Sequence, residues 1–169
     1  MRPAPGRRAS SPQIDIQKQS PLWNAQPLAE ETVRDAVTAA ASTLSTADSE
    51  VSILLTDDSA MAVLNRDWRG IDKPTNVLSF PAPIHKGGDS PRLLGDIVIA
   101  YETLVRECGD QHRQFLHHLA HLTVHGFLHL VGYDHETDSQ AEEMEGLESK
   151  IMMHMKMPDP YNVHDLGDA

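Results

Sequence analysis

One stretch of eleven residues, His125-Gly126-Phe127-Leu128-His129-Leu130-Val131-Gly132-Tyr133-Asp134-His135, limits what this chain can fold into more than any other. His125 and His129 stand four apart, so on a helix they leave the same face about one turn from each other. Gly132 supplies the helix end, because a residue without Cβ enters the left-handed conformation just past the last turn and reverses the chain. That reversal returns His135 toward the His125/His129 face. Three neutral imidazole nitrogens, with a fourth position left to water, make the donor set of a catalytic zinc site rather than a closed structural one. Nickel, cobalt or manganese suit the same three ligands.

The pattern around this stretch mixes strands and helices. Residues 14–18 read as a short edge strand, 51–56, 76–80 and 94–100 as further strands, and 28–44 as a helix with Glu30 and Glu31 in its first turn. Asp57 or Asp58 caps a helix over 59–66. A helical stretch over 101–108 follows, then a long histidine-bearing helix over 111–131 and a final one over 139–155. Strands come early and helices dominate the end, which predicts an α+β domain with about four strands in a mixed sheet. The folded domain is expected over 13–161, between a disordered tail at 1–12 and a shorter tail at 162–169. The first segment holds three arginines and no acid, so a short transit peptide is the alternative, although it shows no apolar helical face. Residues 83–92, with Gly87 and Gly88, read as a loop.

Composition narrows the function classes. A length of 169 residues fits one domain with a real core, and no run of 18 apolar residues offers a membrane span. Cys108 is the sole cysteine, so no intramolecular disulfide forms and a reducing compartment is expected. A net charge of −11 argues against a broad nucleic-acid coat but not against a local grip. The charge is unevenly spread: residues 134–149 hold seven acids and no Lys or Arg, whereas 66–92 hold five Lys+Arg against three Asp.

The metalloprotease pattern H-E-x-x-H-x-x-G-x-x-H matches at every fixed position but one, where Gly126 replaces the glutamate that activates water for amide hydrolysis. Met144, downstream, reads as the apolar seam of the last helix rather than a Met-turn. His121, one turn before His125, is a candidate either for a contact behind the metal or for a substrate phosphate. His117 and His118 are equally well read as indifferent surface residues. Asp96 and Asp134 are candidates for the carboxylate that often orients a ligating imidazole.

The histidine stretch resembles the signature of the YbeY-type endoribonucleases, metal-dependent enzymes of ribosomal RNA maturation. So do Asn65-Arg66-Asp67-Trp68-Arg69-Gly70-Ile71-Asp72-Lys73-Pro74-Thr75-Asn76-Val77-Leu78-Ser79-Phe80-Pro81, Leu94-Gly95-Asp96-Ile97, the acidic Glu142-Glu143-Met144-Glu145 and Asp159-Pro160-Tyr161. The resemblance spans about 14–161. It implies a compact α+β fold, His125, His129 and His135 as zinc ligands, and Arg69 as a functional residue in the cleft. It implies single-strand-specific RNA cleavage in small-subunit rRNA processing and ribosome quality control, in a bacterial cytoplasm, with the ribosome or its small-subunit proteins as partners and no DNA or membrane.

Under that reading Arg69 binds the phosphate bidentately as charge gathers on it, and Lys73 adds a backbone-phosphate contact. Trp68 and Tyr133 either stack on unpaired bases or, for Trp68, pack against the fold. The general base stays open: a metal-activated water acting alone, a relay through an acid or histidine, and attack by the RNA 2′-hydroxyl are all compatible. Two other classes compete, a zincin-like peptidase or amide hydrolase, and a ribosome-assembly factor whose metal is structural.

Overall fold

Alternate residues of the strands go to opposite faces, and here both faces are covered. In the computed structural model, which describes residues 11–83 and 92–162, Val51, Ile53 and Leu55 of β2 (Ser49–Thr56) and Ile97 and Ile99 of β4 (Arg92–Ala100) enter the main core. Their neighbours Val98 and Ala100 point the other way, into a smaller cluster with Met61 and Leu78. The four strands run in the order β1-β2-β4-β3, with β1 (Gln13–Lys18) parallel to β2 and β2 parallel to β4. The edge strand β3 (Val77–Pro81) is antiparallel to β4, with Ser79 opposite Ile97.

Helices α1 (Ala29–Thr43) and α4 (Phe115–Leu130) cover the main-core face, and α5 (Asp138–His154) packs against both. Helix α2 (Asp58–Arg69) lies over the second face through Met61. Helix α3 (Tyr101–Gln111) leads from β4 into α4. The result is the expected α+β domain with a four-stranded mixed sheet. Among the described residues no helix is long and apolar enough to cross a membrane. The tails expected at 1–12 and 162–169, apart from residues 11, 12 and 162, lie outside the described residues, as do residues 84–91 of the expected loop.

Three features depart from the sequence reading. The helical stretch expected over 101–108 runs on to Gln111 as α3, and the helix expected over 111–131 starts only at Phe115 as α4; the break falls at His112, whose φ of 52° is left-handed and whose N–H caps the Cys108 carbonyl. The reason lies in His112, Arg113 and Gln114, which offer no apolar side chain to bury; the stripe facing the core resumes only at Phe115. A 3-10 turn at Pro21–Ala25, unseen in the pattern, inserts Trp23 into the core, where its ring meets Tyr101 and Phe115 edge-on and its Nε1 donates to the Thr56 carbonyl at 2.9 Å. Helix α2 is capped by Asp57, which accepts from the Ala60 N–H at 2.9 Å, and runs to Arg69 rather than stopping at 66. That extra turn carries Arg69 to the cleft described next.

Candidate metal centre

Helix α4 is apolar on nearly every side, and among its described residues His121, His125 and His129 are interruptions at one-turn spacing on one edge. Its end is set by Gly132, at φ 103°, with the Gly132 N–H bonded to the His129 carbonyl and the Tyr133 N–H to that of Leu128. The chain turns back, and His125, His129 and His135 come together with one ligand atom of each within 4.8 Å of the others. The Nε2 atoms of His125 and His129 are 3.1 Å apart.

The tautomers of the two helical imidazoles are set from behind. His129 Nδ1 donates to the Tyr133 carbonyl at 3.0 Å, which can only accept. His125 Nδ1 meets Glu148 Oε1 at 2.6 Å. With both Nδ1 protons engaged, both Nε2 lone pairs remain for a shared cation, as a metal site requires. Burial lowers the pKa of His129, and the neighbouring rings of His125 and His135 lower it further, so the neutral, ligating form is favoured. The donor set therefore fits a divalent metal ion.

Arg69, Asn76 and Ser79 join the three histidines around a cleft of about 620 Å³. Among the described lining residues Arg69 is the one permanent cation. Its Nη1 lies 3.4 Å from Asn65 Oδ1, while buried Asn65 donates from Nδ2 to the Lys73 carbonyl at 2.8 Å and so braces the segment that follows α2. Tyr133 and Asp134 also border the cleft.

Other candidates fall elsewhere. His121 is not on the cleft: its Nε2 meets Glu148 Oε2 at 2.7 Å, behind His125, which leaves it the contact-behind-the-metal alternative rather than the substrate one. Lys73 is exposed and is not among the cleft residues. Trp68, 70% exposed, packs on Phe80 and shares with Asp96 a groove on the opposite face of the sheet, so neither meets the histidines. Asp134 accepts from the His135 backbone N–H at 2.8 Å and shapes the turn rather than an imidazole. His118 is buried rather than on the surface, against Glu107 at 2.8 Å. Met144 is in the core.

The carboxylate missed in the sequence is Glu148. It is fully buried in α5, on the stripe that also buries Met144, Ile151 and Met152. An acid at that spacing was the available signal. Burial raises its pKa, but hydrogen bonds from His121, His125 and Tyr161 outweigh this and hold it down at about 2.

Gly126 explains the one mismatch to the metalloprotease pattern. A Cβ there would sit 2.9 Å from Ile97 Cγ2 and 3.1 Å from Ser79 Oγ, pressed against strands β3 and β4. The position has no room for the protease glutamate.

An α+β domain with a three-histidine centre at the end of one helix narrows the class, and comparison with known proteins settles the family. Residues 13–156 match the family described as endoribonuclease YbeY, and the chain belongs to it. A Bradyrhizobium relative (strain BTAi1), named endoribonuclease YbeY, is 56% identical over 145 residues, covering 82% of this chain and 86% of its own. A Nitrobacter winogradskyi relative of the same name is 52% identical over 160 residues, covering 91% and 84%. A solution structure from Thermotoga maritima, TM1509, covers 89% of this chain and 99% of its own at 24% identity and a TM-score of 0.47.

Proposed function

We propose that this protein is a metal-dependent endoribonuclease that cleaves single-stranded RNA during small-subunit rRNA maturation, in the cytoplasm and in company with the ribosome. His125, His129 and His135 hold the cation, zinc being the first choice for three imidazoles and nickel, cobalt or manganese the alternatives. The observation that carries the reading is the convergence of these three rings on a cleft whose wall also bears Arg69. The names of the curated relatives support it.

A divalent ion bound there supplies Lewis-acid polarisation of a phosphate oxygen and makes a bound water more acidic. The chain's own groups do the rest. Arg69 binds a non-bridging phosphate oxygen and offsets charge that grows during cleavage. His129, neutral and held by the Tyr133 carbonyl, keeps its Nε2 aimed into the cleft. Tyr133 offers a ring on the wall for an unpaired base. Lys73 and His121 have no substrate contact in this scheme. The peptidase reading is disfavoured by the packing at Gly126.

The test uses zinc-loaded full-length protein with labelled single-stranded and duplex RNA of one sequence, and with casein. Cleavage confined to the single strand, lost on chelation and lost together with the metal in His129→Ala, is the expected result. Casein hydrolysis, or RNA cleavage unchanged in His129→Ala, overturns it.

A further inference from the structure

The buried carboxylate of Glu148 joins three parts of the chain that are far apart in sequence. Oε1 meets His125 Nδ1 at 2.6 Å and Oε2 meets His121 Nε2 at 2.7 Å. The Tyr161 hydroxyl donates to Oε2 as well. Tyr161 sits there because its turn is docked twice. Arg113 donates to the Pro160 carbonyl at 2.7 Å, and Ser149 Oγ donates to Asp159 Oδ1 at 2.7 Å. Asp159 Oδ1 in turn accepts the Tyr161 N–H at 3.0 Å.

An ionised carboxylate only accepts, so each atom facing Glu148 must bring a proton. For His125 this fixes the proton on Nδ1 and leaves Nε2 bare. His121 and Tyr161 saturate the other oxygen and stop the carboxylate from rotating away. A buried charge that lost these donors would be costly, so the group of four holds together or fails together.

We propose that Glu148 is the positioning residue of the metal centre, that it locks His125 in the ligating tautomer, and that the turn at Asp159–Tyr161 belongs to the centre because Tyr161 anchors that carboxylate. The proposal rests on the assignment of His125 as a ligand. It places a determinant of metal affinity in a C-terminal turn outside the cleft.

Three measurements on the full chain test it. In zinc-loaded wild type, imidazole ¹⁵N NMR is expected to show the His125 proton on Nδ1, shifted far downfield by the carboxylate. Glu148→Gln replaces one acceptor by a donor facing an N–H and is expected to lower zinc affinity about 10–100-fold in competition with a chromophoric chelator. Tyr161→Phe removes one donor and is expected to lower it about two- to tenfold, the worth of one net hydrogen bond. The Co²⁺ absorption spectrum is expected to change in both variants, a readout that mere loss of stability would leave alone in the folded fraction. If Glu148→Gln does not fold, Tyr161→Phe and the wild-type tautomer decide. A His125 proton on Nε2, or Tyr161→Phe with wild-type zinc affinity and cobalt spectrum, overturns the proposal. A wild-type chain that binds no divalent ion overturns the ligand assignment instead.

Discussion

Ser79 Oγ donates a 2.8 Å hydrogen bond to the Gly126 carbonyl, tying the edge strand β3 to the middle of the histidine-bearing helix. The contact in its present geometry relies on the glycine, since a Cβ at residue 126 would press within 3.1 Å of that Oγ. It fixes the distance between the sheet-edge wall of the cleft and the imidazoles on α4.

Filling position 126 is therefore expected to destabilise the fold. Gly126→Ala gains about 1 kcal/mol of helix propensity but meets an overpacking cost of about 1–3 kcal/mol, so its net loss is small. Gly126→Glu, which restores the protease pattern in sequence, is expected to lose far more and to gain no casein hydrolysis. Urea denaturation and a protease assay on the same samples check both.

Arg69→Ala is expected to reduce single-turnover cleavage of single-stranded RNA by about 10–100-fold, the worth of a charge-assisted contact. The melting temperature should stay put, since Arg69 is exposed and its hydrogen bond to Asn65 is long at 3.4 Å. Arg69→Lys should recover only part of the rate, because an ammonium cannot bind bidentately. A wild-type rate in Arg69→Ala would remove it from the phosphate site.

Trp68→Ala is expected to leave KM for single-stranded RNA within about twofold, because the ring lies across the sheet from the cleft and is largely exposed. A large rise in KM would mean that RNA runs over the opposite face.

The pH dependence of the metal-free fold has a definite sign. His121 and His129 have pKa values lowered mainly by burial, so below about 6.5 the unfolded chain takes up protons that the folded one refuses. Stability then falls with pH, by up to about 1.4 kcal/mol per unit for each group. Glu148, down from 4.5 to about 2, adds stability that is full above 4.5 and lost as pH falls toward 2. Urea midpoints of chelated protein at pH 7, 6, 5 and 4 should decline at each step, and a flat profile between 7 and 5 would contradict the histidine shifts.

Much of this site was legible because the spacing of His125, His129, Gly132 and His135 is a local property of one helix and its end. The sorting of Ile97 and Val98 to opposite faces follows from strand alternation in the same local way, whereas the order β1-β2-β4-β3 does not. The unread parts depend on contacts between distant segments. Glu148 looked like one more acid on an acidic helix, and its partner Tyr161 lay beyond any helical period. Trp23 is held by Thr56 across 33 residues, so no window around either predicts the turn at 21–25. Asp96 stood out as an acid in an apolar strand, but only the register shows that it faces away from the histidines.

Helix α4 places Leu119, Val124, Phe127 and Leu128 in the core and His125 and His129 on the cleft. The cation-binding face thus cannot drift without unpacking the domain. Evolution of a different substrate preference would have to work around this pillar, through cleft-lining positions off the helix whose side chains hold neither the metal nor the turn, such as Thr75, Asn76 and Tyr133.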